Sequence, residues 1–267
     1  MVSYIETCQR ALRAAGKMLI NKLGNVDVRQ KAPSDLVTDA DIAAERIIVD
    51  LIRNAFPEHK VVGEEETAGN PRSVSKEGYC WVVDPLDGTT NYAHGVPHFS
   101  VSLALLHGRD LLVGGVFDPL RDELFSAVRG EGACLNGRPI RTSRIGRMSD
   151  ALTGIGFPPR VNEDSPDLRA FLKAVAHFQG VRRTGSAALN MAYVAAGRFD
   201  AAWSYSTRVW DMAAGSLLVG EAGGEVSAPN GSLLDPWSGQ FLVAATASLH
   251  QEIARLLVGT MSTPSDD

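Results

Sequence analysis

The segment WVVDPLDGTTNYAHG, Trp81 to Gly95, ends an apolar run on two aspartates, Asp84 and Asp87, and follows them with Gly88, Thr89 and Thr90. Carboxylate and carbonyl oxygens are hard donors that suit a cation such as Mg²⁺. The strand is expected to end at Asp84. Pro85 then fixes its own φ and Gly88 permits a tight turn, so both carboxylates and the Leu86 carbonyl can face one side. GTTNYAH can open a short helix whose free N–H groups would hold a phosphate beside the cation. A polar turn with a glycine cap fits the same heptad equally well. Two distant acidic segments bear on the choice: VVGEEE ends an apolar run on Glu64, Glu65 and Glu66, and VWDMAAG places Asp211 near a helix start. A solvated loop explains the first and helix capping the second when each stands alone. Taken together, the three acidic sites favour a shared cation.

Composition narrows the chemistry further. Lysine and arginine total 26 against 31 aspartates and glutamates, a formal charge of -5, which removes the broad attraction behind most nucleic-acid binding. An anionic ligand therefore needs a cation to bind. Cys8, Cys80 and Cys134 are far apart and odd in number, so a disulfide framework or zinc knuckle is not expected, and they read as buried thiols. A phosphate-binding G-x-x-x-x-G-K-[ST] loop and a G-x-S-x-G elbow are both missing from the sequence. His94 and His98 have the spacing of a helical zinc pair, but Gly95 and Pro97 between them oppose a regular helix. Covalent phosphoenzyme routes lack their residues: no cysteine has an arginine six positions on, and Asp84 and Asp87 form D-x-x-D rather than D-x-D. No segment has the apolar length of a signal peptide or membrane span, and a cytoplasmic location is expected.

These residues need a scaffold. Ile5, Cys8, Leu12, Ala15 and Leu19 share one face of an amphipathic helix. A second helix is expected after Thr38, capped by Thr38 and Asp41, striped by Ile47, Ile48, Leu51, Ile52 and Ala55, and ended by Pro57. From Trp81 the runs WVVD, FSVSLALL, LLVGGVF and ELFSAV predict an antiparallel meander. After Met148 strand and helix alternate: ALTGIGF, a helix near Asp167 to His177, VRRTG, a helix Ala187 to Ala196, FDAAW, a helix from about Asp211 to Glu221, FLVAAT and a last helix. The expectation is an α/β (α+β) protein of two halves, 1–148 and 149–267, sharing one cleft, with a frayed tail STPSDD.

Several motifs in this order resemble the inositol monophosphatase family of Mg²⁺-dependent, lithium-sensitive phosphatases: SDLVTDAD (Ser34 to Asp41), GEE (Gly63 to Glu65), DPLDGTTN (Asp84 to Asn91), GEGACLNGRPI (Gly130 to Ile140), RTGSAALNMAYVAAGRFDAAW (Arg183 to Trp203) and WDMAAG (Trp210 to Gly215). The resemblance covers most of the chain. It implies a layered αβαβα sandwich, a homodimer, and two to three Mg²⁺ per site. Glu64, Asp84 and the Leu86 carbonyl would hold the first metal, Asp84, Asp87 and Asp211 the second, and Glu64 would assist a third. Thr89, hydrogen-bonded to Asp41, would orient the attacking water, while Gly88 and Thr89 N–H groups would hold phosphate. The expected substrate is a small phosphorylated polyol or sugar, inositol monophosphate by default, with no nucleic-acid or membrane partner.

The sequence departs from the family on the substrate side. Inositol-phosphate enzymes of the family carry a glutamate seven residues before the aspartate matching Asp211; here that position is Ser204, and the glycine expected two residues later is Ser206. Ser204 would make a single hydrogen bond to a hydroxyl, and Ala187 stands where the family offers backbone contacts to the sugar. Arg208, close to Asp211, would favour a second anionic group. Fructose 1,6-bisphosphate, histidinol phosphate and nucleotide 3'-phosphates stay open as substrates, as do an anhydride and a non-catalytic interaction role on the same scaffold.

Overall fold

The structure is a computed structural model and describes residues 3–25, 27–32, 35–65, 77–158 and 160–261. Ser34, Glu66 and the expected tail Ser262 to Asp267 lie outside the described residues. In chain order the elements are α1 Tyr4–Lys22, β1 Val28–Ala32, β2 Asp35–Thr38, α2 Asp39–Ala55, β3 Lys60–Gly63, β4 Tyr79–Asp87, α3 Thr89–Ala93, β5 Ser100–His107, β6 Asp110–Asp118, β7 Glu123–Val128, β8 Gly132–Leu135 and β9 Arg138–Pro139. There follow β10 Leu152–Ile155, α4 Pro166–Ala174, β11 Gly180–Arg182, α5 Ala187–Ala195, β12 Ala201–Ser204, α6 Val209–Glu221, β13 Glu225–Ser227, β14 Phe241–Ala244 and α7 Ala247–Met261.

Local chemistry sets the helix starts. Ser3 Oγ accepts the Glu6 N–H at 3.2 Å while Glu6 accepts from the Ser3 N–H, a reciprocal cap that starts α1. Thr38 and Asp41 do the same for α2. Each of these helices buries one stripe, Cys8, Leu12, Ala15 and Leu19 on α1, and Ala44, Ile48 and Ile52 on α2.

The meander becomes a seven-stranded sheet in the order β3-β4-β5-β6-β7-β8-β9, antiparallel apart from the parallel β3–β4 pair. The second sheet has the order β11-β10-β12-β14-β13; β10 runs parallel to both β11 and β12, and β14 is antiparallel to β12 and β13. α1 and α2 pack on one face of the large sheet, α5 and α6 lie between the two sheets, and α4 and α7 cover the outside of the small one. These are the layers of an αβαβα sandwich. Helix α6 is buried almost all round, from Trp210 through Val219, because it has a sheet on each side. Its approach to β6 needs Gly114, where a Cβ would stand 3.0 Å from the Ala214 Cα.

Two expectations need correction. β4 does not end at Asp84; it continues to Asp87, with a register shift against β5 between those residues. That irregularity is a bulge, which bends the strand and re-aims the side chains at its end. In the second half, β13 was not anticipated; it adds an edge strand beside β14, in a small sheet that the antiparallel β12–β14 pair already makes mixed. The strand has three residues, too few to establish a period in sequence.

Candidate active site

One cleft collects residues from both halves, among them Glu64, Asp84, Leu86, Asp87, Gly88, Thr89, Asn91, Arg183, Ser186, Ala187, Ser206, Thr207 and Asp211. The bulged end of β4 presents Asp84 and Asp87, which pair across the ladder with Ser102 and Ser100. Gly88 follows with φ of 98°, a left-handed conformation, and an added Cβ would meet the His98 carbonyl at 3.2 Å and the Gly185 carbonyl at 3.3 Å. Glycine is therefore required twice over, by conformation and by space. The turn opens α3, whose first-turn N–H groups have no acceptor within the helix. Asp211 comes from the first turn of α6, where its Oδ2 accepts the Arg208 N–H at 2.7 Å. Ser102 Oγ, donating to the Trp210 carbonyl at 2.8 Å, fixes that helix start to β5.

Burial, and then the negative charges of Glu64, Asp87 and Asp211, hold the Asp84 carboxyl well above the usual carboxylate range. Burial followed by the negative charges of Glu64 and Asp87 does the same to Asp211. Acids that raise one another in this way can all be ionised at low cost only beside a cation. Burial pushes Asp87 up to about 6, against the opposing pull of hydrogen bonds from Ser186, Ala188 and Ala187. Among the described residues no three histidine, cysteine, aspartate or glutamate side chains are closed into a ready metal cage. The donor set still fits a hard divalent ion in chemistry: it consists of oxygen donors, and its acids destabilise one another by repulsion that a cation would relieve.

Asp87 also ties the halves together. Its Oδ2 accepts from Ser186 Oγ at 2.5 Å and the Ala188 N–H at 2.7 Å, and its Oδ1 from the Ala187 N–H at 3.3 Å. A negative charge at the start of α5 is favourably placed for the helix dipole. Asn91 Nδ2 donates to the carbonyls of His98 at 2.7 Å and Thr184 at 2.9 Å, joining α3 to the loop before α5. On the other side of the turn, Thr89 Oγ1 lies 3.2 Å from Asp41 Oδ1 and 3.0 Å from the Leu86 carbonyl, two acceptors for its one proton. Asp41, 1% exposed, is held by the Thr38 N–H and hydroxyl on its other oxygen.

Of the acidic residues named from sequence, Glu64, Asp84, Asp87 and Asp211 line the cleft together with Leu86, Gly88, Thr89 and Ala187, and Asp41 bonds to Thr89, which does; Glu65 lies outside the cleft lining. Two substrate-side expectations are corrected. Ser204 is wholly buried in β12, turned toward Asp167 at 3.4 Å, and is not part of the cleft wall; Ser206 and Thr207 are. Arg208 is exposed outside the cleft lining, and the basic side chain on the wall is instead Arg183, over the Phe157 ring at 6.0 Å. The Ala187 N–H is turned to Asp87. Sequence reasoning also missed Ser186 and Asn91; Ser186 carried a visible signal, as the helix-capping serine before AALNMAYVA. His94 is exposed and His98 half-buried, with Gly95 at φ 70° ending the helical path between them. Cys8 and Cys80 are buried, as expected, while Cys134 is only half-buried, contrary to that expectation; burial pushes the Cys80 thiol up to about 11.

Comparison with known proteins agrees with this architecture. The profile of the inositol monophosphatase family matches residues 2–262. The chain is 49% identical over 240 residues to the Nus factor SuhB of Pseudomonas aeruginosa, covering 87% of this chain and 88% of that protein. It is 45% identical over 222 residues to the inositol-1-monophosphatase of Rhizobium meliloti, covering 80% and 81%. The crystal structure of extragenic suppressor protein suhB from Bartonella henselae superposes with a TM-score of 0.85 at 36% identity, covering 94% of this chain and 97% of that one. Among the described residues no helix is long and apolar enough to cross a membrane.

Proposed function

The chain belongs to the inositol monophosphatase family, and we propose that it is a Mg²⁺-dependent phosphomonoesterase acting on a small phosphorylated polyol or sugar. The observation that carries this reading is the set of mutually repelling acids around Asp84, drawn from β4, α6 and the end of β3, at the mouth of a turn with free N–H groups. A phosphate dianion cannot enter beside these carboxylates unless divalent ions supply the compensating charge. Glu64, Asp84 and the Leu86 carbonyl would hold one ion, and Asp84, Asp87 and Asp211 a second, with Glu64 assisting a third. Bound there, such ions lower the pKa of a water and neutralise the leaving ester oxygen.

The chain's own residues do the rest. Gly88 and Thr89 N–H groups hold the phosphate oxygens. Thr89 orients the attacking water and gives its proton to Asp41 Oδ1 as it takes one from the water, so the pair acts as a relay. No side chain forms a bond to phosphorus. Inhibition by lithium and a homodimeric state belong to the same reading.

Phosphate release from a panel of inositol, sugar and nucleotide phosphates, with Mg²⁺ and with chelator, tests it. Release that requires Mg²⁺ supports the proposal; silence across the panel overturns it. A second reading, an interaction role on this scaffold, is favoured by the relatives named Nus factor. Such silence from a folded protein would support that role.

A further inference from the structure

The wall of the cleft that follows β12 carries two hydroxyls, on Ser206 and Thr207. Ser206 Oγ donates to Asp167 Oδ2, and Thr207 Oγ1 donates to the Gly239 carbonyl at 2.7 Å. A serine or threonine hydroxyl has one proton and two lone pairs. With that proton committed, each can meet a ligand only as an acceptor. Asp167 is the organiser of this turn. It comes from the first turn of α4, is 2% exposed, and its Oδ1 accepts from the Tyr205 N–H at 2.8 Å and Ser204 Oγ at 3.4 Å. Ser204 Oγ in turn accepts the Ser206 N–H at 3.2 Å. Among the described residues the donors to the Asp167 side chain are Ser204, Tyr205, Ser206 and its own backbone N–H, and no lysine or arginine pairs with it. Burying a carboxylate without a counter-cation is costly even when it is hydrogen-bonded, so stability is a poor explanation for its presence.

We propose that Asp167 is a positioning residue that sets the hydrogen-bond polarity of Ser206: this hydroxyl, beside Thr207 whose proton the Gly239 carbonyl takes, accepts from substrate hydroxyls and disfavours a second phosphate or carboxylate, whose oxygens have no proton to give. The inference rests on the reading of the cleft as a phosphatase site and narrows its substrates to hydroxyl-rich monophosphates. Replacing Asp167 by asparagine keeps the shape but inverts one bond. The amide oxygen still accepts from Tyr205 N–H, while the amide nitrogen donates to Ser206 Oγ and turns the serine proton loose toward the cleft. Arg183 is the competing influence, since a second anion could be drawn to it from the neighbouring loop.

The test compares kcat/KM, with Mg²⁺, for inositol monophosphate, for cyclohexyl phosphate, which has the ring without the hydroxyls, and for an inositol bisphosphate. The wild-type protein should prefer inositol monophosphate over cyclohexyl phosphate by about tenfold. Asp167→Asn should improve the bisphosphate relative to the monophosphate severalfold, chiefly through KM, while keeping most of the preference over cyclohexyl phosphate, because an inositol hydroxyl can accept the freed serine proton. Ser206→Ala should lower the preference without improving the bisphosphate. A merely structural role would weaken all three esters alike. Wild-type ratios in both folded variants would overturn the proposal, as would a wild-type preference for the bisphosphate; should Asp167→Asn fail to fold, Ser206→Ala alone decides. If the wild-type protein hydrolyses cyclohexyl phosphate but shows no preference, this inference fails and the phosphatase reading stands. If no ester is hydrolysed, both fall.

Discussion

Asp84 and Asp167 are equally buried, each 2% exposed, and both are held above the ordinary carboxylate range with burial as the leading cause. Their surroundings differ. Around Asp167 the protein supplies backbone N–H groups and two hydroxyls, and the carboxylate is answered from within the fold. Around Asp84 it supplies one N–H, from Leu86 at 3.0 Å, and three further acids. The lesson is that burial alone does not mark a reactive carboxylate. The mark is a buried acid whose neighbours share its charge, because only a ligand from outside can then satisfy it.

The sharpest way to break this contrast is by activity. Asp84→Asn, or Asp211→Asn, should reduce Mg²⁺-dependent phosphate release by at least about a thousandfold, measured under saturating ester, since each removes a charge that the cation needs. Thr89→Ala comes next, with a loss of about a hundredfold in kcat and little change in KM for ester, as expected for a proton relay rather than a binding contact.

Stability should separate the two aspartates by sign. In chelator at neutral pH, Asp84→Asn should raise the melting temperature by about 3 °C, because it relieves repulsion within the acid group. Asp167→Ala should lower it, since it leaves the Tyr205 N–H and two serine hydroxyls without their acceptor, a loss of about 1–3 kcal/mol. Thermal denaturation of the two variants side by side reads both; shifts of the same sign would erase the distinction.

The smallest effect is the pH dependence of the metal-free protein. Asp87 sits near 6 in the fold, above its unfolded value, and Asp84 and Asp211 are raised as well. Raised acids contribute stability below their unfolded pKa, and lose it as pH rises through the folded value. In chelator the melting temperature should therefore fall between about pH 4 and pH 7. Mg²⁺, which favours the ionised forms, should flatten or reverse that slope.

Much of this contrast was legible in the sequence on one side and hidden on the other. The Asp84 group could be read because its residues sit in dense local patterns: DPLDGTT carries two acids, a proline and a glycine whose turn-forming constraints are visible in the letters themselves. The helices α1 and α2 were legible for a similar reason, through their periodic apolar residues and, for α2, the capping pair Thr38 and Asp41. Asp167 gives no such signal. It looks like a helix-start acid in SPDLRAF, and its partners lie 37 to 39 residues downstream, a pairing that only the packing of α4 beside β12 creates. The same limit misplaced Ser204 and Arg208. Counting back from Asp211 gives the position in the chain but not the face, and the turn after β12 sends Ser206 and Thr207 to the cleft while Ser204 points inward. The bulge that extends β4 to Asp87 was hidden too, because Pro85 reads as a strand terminator until the pairing partner is known.

The central claim, that the acids around Asp84 await a divalent ion, is tested most directly by calorimetric titration of Mg²⁺ into the chelator-treated protein and its Asp84→Asn variant at pH 7.5. Saturable binding with release of protons in the wild-type protein, weakened at least about tenfold in the variant, is the predicted result. Equal binding by both, or heat indistinguishable from dilution in both, would contradict the account.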